Sequence, residues 1–163
     1  MKIRTLMLTV VVAMTSAPLA LAADSTDPGP GDAPALRECV AGKSTPKAQL
    51  NNCYMLIVKR CFAAVGNDYD STVRDCHRRE EAAWDVMLNS DYSALREKMG
   101  EAQKTKLRYE QRAWIRKKDT NCNAIYKRLQ GTMAYPLMAQ CFSKETAQRA
   151  LYLLNYPAGS KAK

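Results

Sequence analysis

Hydrophobic positions along this chain recur at three- and four-residue steps far more often than they alternate, and that spacing predicts helices. Thr45-Pro46 is a helix start: the Thr hydroxyl accepts a backbone N–H, and Pro loses no hydrogen bond at the first helical position. The helix it opens is expected to run to about Phe62, where Gly66-Asn67-Asp68 breaks the pattern. A second helix begins between Ser71 and Cys76 and carries Trp84, Met87, Leu88, Leu95 and Met99 on one side, with Gly100 as its stop or kink. In a third, Leu107, Gln111, Trp114, Ile115, Lys118, Cys122, Ile125, Tyr126 and Leu129 fall along one side. Gly131 ends it and Pro136 is expected in the loop beyond. Ser143 caps a last helix with Glu145 in its first turn, where a negative charge meets the positive helix end. Its apolar side is Ala147, Ala150, Leu151 and Leu154. The pattern predicts an all-α, small bundle of four or five helices.

The two ends read differently. Lys2 and Arg4 precede an apolar run from Leu6 to Met14, and small residues surround Ala20 and Ala22. That order is a secretory signal peptide, residues 1–22, with cleavage expected after Ala22. The run is shorter than the roughly 20 residues that span a bilayer, so the mature chain is not expected to be transmembrane. No cysteine stands at the cut to carry a lipid, and the expected location is periplasmic or secreted. Residues 23–35, rich in Pro, Gly and small polar residues, read as a flexible tether. Residues 36–156 form the helical domain, and 157–163 a frayed tail.

All six cysteines, Cys39, Cys53, Cys61, Cys76, Cys122 and Cys141, follow the signal, and an even number in an exported chain argues for three disulfides. A metal centre is not expected, because no pair has C-x-x-C spacing. Cys76-His77 also lacks the upstream cysteine of a haem attachment site. No cofactor motif is present.

An enzyme is not expected either. His77 is the single histidine and has no nucleophile at a recognisable spacing, so it reads as a surface residue. Glu80, Glu81 and Asp85 lie within two helical turns, but as the acidic, solvated N-terminal half of a helix rather than an acid–base pair. The formal net charge of +9 is the remaining clue. Lys104, Lys106, Arg108, Arg112, Arg116, Lys117 and Lys118 crowd the third helix, with Tyr109 and Trp114 interleaved. Export removes nucleic acid as the partner. The basic side either solvates a helix buried on its other side or rests on anionic envelope polymers or a membrane surface.

Three motifs in order then carry a resemblance. Leu88, Asn89, Tyr92 and Leu95 follow Trp84; Gln111, Arg112, Trp114, Ile115, Asp119 and Cys122 come next; Cys141, Thr146 and Arg149 close the set. Together they resemble the LprI-type lysozyme-inhibitor-like domain of exported bacterial proteins. The departures are Lys118, where that family usually has Arg, and Gly131-Thr132-Met133, where it often has Gly-Gly-Ser.

The resemblance implies a non-enzymatic scaffold that binds lysozyme. It implies a Cys122–Cys141 bridge across the turn and ion pairs among Arg112, Asp119 and Arg149 that pin the last helix to the third. Trp114 and Cys122, about 80° apart around the helix axis, can share its buried side. The other four cysteines permit three pairings. Sequence neighbours, Cys39–Cys53 and Cys61–Cys76, are the working expectation, which a Cys53–Cys76 link would overturn. The implied mechanism is occlusion of the hydrolase cleft by the loop from Gln130 to Gln140, with Met133, Tyr135 and Pro136 as candidate contacts.

Overall fold

Three long helices carry the fold, and the small residues of the last one let it pack closely. The computed structural model describes residues 26–66 and 69–157. The expected signal peptide, Asn67, Asp68 and the tail beyond Pro157 lie outside the described residues. Among these residues stand six helices: α1 Asp32–Ala41, α2 Pro46–Cys53, α3 Leu56–Val65, α4 Asp70–Glu97, α5 Glu101–Leu129 and α6 Ala134–Leu154. The all-α class follows the periodicity.

On α6, Ala139, Ser143, Ala147 and Ala150 recur at three- and four-residue steps and are all buried. Side chains this small let two backbones approach, and α6 packs along most of α4. The two run parallel, with Arg74 near Tyr135 at one end and Glu81 near Thr146 further along. α5 runs back antiparallel to α6, tied by Cys122–Cys141 and by Arg149 Nε donating to Gln111 Oε1 at 2.8 Å. The core between them holds Trp84, Met87 and Leu88 of α4, Leu107 of α5 and Leu151 and Leu153 of α6, closed by Leu36 of α1 and Ile57 of α3.

α1 is held on α4 by charge. The Arg79 guanidinium grips Asp32 at 2.7 Å, and Arg37 reaches Asp91 at 2.7 Å. Gly29 donates its N–H to the same Asp32 carboxylate at 2.8 Å, and a Cβ there would stand 2.9 Å from Arg79 Nη2. The stretch read as a tether therefore ends earlier than expected, with helix beginning at Asp32. Gln49 ties three elements at once: its amide donates to Val40 O, and its carbonyl accepts from Asn155 at 2.9 Å.

Two helix boundaries differ from expectation. The single helix expected from Pro46 to about Phe62 is divided at Tyr54-Met55, where Met55 takes φ 72°. A left-handed non-glycine residue is costly and persists only when its surroundings hold it there. The holding group is Glu80, fully buried on α4, whose carboxylate accepts the N–H groups of Met55 at 2.6 Å and Val58 at 2.9 Å and the Trp84 indole N–H at 3.2 Å. Glu80 is thus the N-terminal cap of α3 and not a solvated surface acid. The last helix starts at Ala134, nine residues before its expected cap. Pro136 falls in its first turn, where no N–H partner is needed. Ser143 is mid-helix and buried.

The three disulfides are Cys39–Cys53, Cys61–Cys76 and Cys122–Cys141, the pairing of sequence neighbours. None of the described helices is long and apolar enough to cross a membrane.

Candidate functional site

The α5–α6 turn concentrates exposed apolar surface on a rigid base. α5 ends at Leu129, and the chain reverses through Gln130 (φ 50°) and Gly131 (φ 78°). Gln130 N–H still donates to Tyr126 O at 2.9 Å, and Tyr135 N–H donates to Thr132 O at 3.2 Å. The Tyr126 and Tyr135 rings meet across the turn at 5.5 Å, and Cys122–Cys141 staples the two helices just behind it. Around this short connection Tyr126, Leu129, Met133, Tyr135 and Leu137 are all exposed, Met133 at 59 %. Lys127 and Arg128 flank them from the solvent side of α5. Clustered exposed aromatic and aliphatic side chains with a polar rim are the usual composition of a binding surface.

The expected loop from Gln130 to Gln140 is therefore a four-residue turn followed by helix. Of its candidate contacts, Met133 and Tyr135 face solvent, while Pro136 is buried. Tyr126, Leu129 and Leu137 belong to the same patch. Three- and four-residue spacing set Tyr126 and Leu129 along one side of the helix, but periodicity marks a side without saying whether a neighbour covers it.

Beside the turn, α4, α5 and α6 enclose a cleft of about 490 Å³ lined by Arg74, Arg78, Glu81, Lys118, Asp119 and Tyr135, with Met138, Ala139 and Phe142 beneath. Lys118 points into its wall. Its ammonium contacts Glu81 at 3.3 Å and Thr146 Oγ1 at 3.4 Å and lies over the rings of Trp114 and Phe142 at 5.0 and 5.5 Å. Burial pushes the Glu81 carboxyl above the ordinary carboxylate range, opposed by Lys118. Further along, the Arg149 guanidinium stacks between Trp114 and Tyr152, and its own desolvation lowers its pKa.

The expected ion pairs among Arg112, Asp119 and Arg149 do not form. Arg112 and Asp119 are exposed, and Arg149 bonds instead to the neutral Gln111. The linkage between the last two long helices is made by Cys122–Cys141, Lys118–Thr146 and Arg149–Gln111, while Lys118–Glu81 ties α5 to α4. Trp114 and Cys122 do share the inner side of α5, Cys122 fully buried and Trp114 partly covered by the two cations. Trp84 and Leu88 are core; Asn89 is exposed and donates to Asp85, and Tyr92 lies half-buried under Arg96. His77, read as surface, is 3 % exposed with Nδ1 unpartnered, and burial lowers its pKa. No cluster of metal-ligating side chains occurs among the described residues.

Comparison with known families decides the identity of this scaffold, since the model for lysozyme inhibitor LprI matches residues 61–153. The chain belongs to the LprI lysozyme inhibitor family. The matched span holds α4, α5, α6, the exposed turn and the cleft, together with two of the three disulfides. α1, α2 and the Cys39–Cys53 bridge precede the matched span and dock on its α4 and α6. No curated protein and no solved structure matches the chain.

Proposed function

We propose that this LprI-family protein is an exported, non-enzymatic inhibitor that occludes the substrate cleft of a lysozyme with its α5–α6 turn. The observation that carries the reading is the exposed cluster of Met133, Tyr135, Leu129 and Leu137 on a turn that two helices and a disulfide hold rigid. Rigid anchors lose little conformational entropy on binding. Glycan hydrolases use paired carboxylates, so their clefts are acidic, and Lys127 and Arg128 beside the turn complement that charge. Three disulfides suit an oxidising compartment outside the cytoplasm.

Long-range charge opposes this encounter when the target is itself basic, because the chain without Lys2 and Arg4 of its signal peptide carries a formal +7. The test is a titration of the oxidised mature protein into a lysozyme assay on cell-wall substrate, at low and at physiological salt. Inhibition that saturates near equal stoichiometry and survives salt supports occlusion. Absence of inhibition, or an effect that vanishes with salt and follows adsorption to the wall, removes it.

The outer side of α5 favours a second reading, adhesion to anionic envelope polymers. Arg108, Arg112 and Arg116 follow one another at four-residue steps, exposed, and neither they nor Lys117 enter an ion pair among the described residues. Such binding weakens steeply with salt, since exposed charges are screened beyond about 10 Å at 0.1 M. Failure of anionic polymer or vesicles to retain the protein at low salt excludes it.

A further inference from the structure

We infer that the cleft between α4, α5 and α6 is a saccharide site, in which the rim of a pyranose ring is held between Arg78 and Asp119 and its C–H face rests on Tyr135 and Met138. Charge accounting inside the cleft leads to this ligand class. Arg74 is occupied by Asp75 at 2.7 Å, and Lys118 by Glu81 at 3.3 Å. That leaves Arg78 on the α4 wall and Asp119 on the α5 wall, both exposed and in none of the ion pairs among the described residues.

One free donor group and one free acceptor group line the same cleft, to which α6 adds the apolar Met138, Ala139 and Phe142. A small anion meets the free Asp119 as repulsion, and a small cation meets the free Arg78 in the same way. A purely apolar ligand strips water from two charges without replacing their hydrogen bonds. A neutral sugar fits all three surfaces. Its hydroxyls both donate and accept around the ring edge, while its faces present C–H groups to aromatic and thioether side chains. The volume of about 490 Å³ lies within the usual range for small-molecule sites, about 300–1,000 Å³. This inference does not rest on lysozyme inhibition, and its test contains no lysozyme.

The experiment is an amide-resolved NMR titration of the oxidised mature protein with two neutral probes, the disaccharide of N-acetylglucosamine and cellobiose, beside inorganic phosphate. The expected result is a saturable shift of amides around Arg78, Asp119 and Tyr135 to Phe142 with at least one sugar, insensitive to salt. Asp119→Asn and Arg78→Gln each then weaken binding about tenfold, the loss of one charge-assisted hydrogen bond, with an unchanged thermal midpoint. Phosphate that shifts these amides while both sugars do not overturns the assignment in favour of an anion site. Sugar shifts confined to other surfaces, no shifts at millimolar sugar, or variants that bind sugar as well as the native protein overturn it outright.

Discussion

The Glu80 carboxylate accepts the backbone N–H of Met55 at 2.6 Å, so a side chain of α4 caps a helix that lies 25 residues earlier in the chain. A cap is ordinarily local, supplied by the residue at the helix start. Here it is tertiary, and the positive φ of Met55 depends on it. Burial raises the Glu80 pKa, and its hydrogen bonds to Val58, Met55 and Trp84 oppose that rise. Glu80→Ala is expected to lower stability by about 3 kcal/mol, the cost of a lost cap plus buried N–H groups without partners. A urea midpoint equal to that of the native protein would show that α3 holds its start without help.

His77 makes stability pH-dependent. Its folded-state pKa lies below the ordinary value near 6.5 because burial penalises the charged ring. The unfolded chain therefore takes up a proton that the folded one refuses, and the stability present above about pH 6.5 is lost as pH falls through the folded-state value. Glu80 and Glu81, raised by burial, act in the opposite sense: their contribution is full below the ordinary carboxylate range and lost as pH rises through their folded values. Comparing native protein with His77→Phe at about pH 7.5 and about pH 5.5 isolates the histidine, since the carboxyls are common to both. The native protein is expected to lose more stability on acidification, and parallel behaviour refutes the assignment.

Opening Cys122–Cys141 frees a loop of 19 residues. The double change Cys122→Ser with Cys141→Ser is expected to cost about 3 kcal/mol on the chain-entropy picture. It also loosens the base of the α5–α6 turn, so any inhibition measured for the oxidised protein is expected to weaken in the variant under conditions where both are folded. Equal inhibition by both forms would show that the staple has no part in presenting the turn.

The Lys118–Glu81 pair joins α5 to α4 with side chains only 14 % and 25 % exposed. Removing the cation alone strands a desolvated carboxylate, whereas removing both charges does not. A double-mutant cycle of Lys118→Met and Glu81→Gln is therefore expected to show a coupling of about 1 kcal/mol, with the double variant more stable than the sum of the single ones predicts. A coupling near zero would leave the contact with Trp114 and Phe142 as the whole role of Lys118.

Met133→Ala and Tyr135→Ala act at exposed positions, so each is expected to change stability by less than about 0.5 kcal/mol. If the turn enters a lysozyme cleft, each weakens inhibition about tenfold, the size of a modest hot-spot residue. Inhibition that is unchanged in the combined variant moves the contact surface away from the turn.

Local spacing carried much of this fold. The inward side of α4, with Trp84, Met87 and Leu88, and that of α5, with Leu107, Trp114 and Cys122, are written in three- and four-residue steps that any isolated helix would share. The disulfides join sequence neighbours because short connections bring successive helices together. The chain by itself thus determined an all-α, thrice-bridged bundle and the family to which it belongs.

Partner choice was settled only by packing. The small side chains of α6 bring it onto α4, which buries Ser143 in mid-helix and overrides its local signal as a cap. Docking of α3 on α4 turns Glu80 inward and breaks the chain at Met55, and the approach of α5 to α6 selects Gln111 rather than an acid as the partner of Arg149. That approach leaves Tyr126 and Leu129 uncovered at the turn. Helical spacing fixes which residues share a side, but burial, charge pairing and the cleft arise where two sides meet, and that meeting depends on residues remote in sequence.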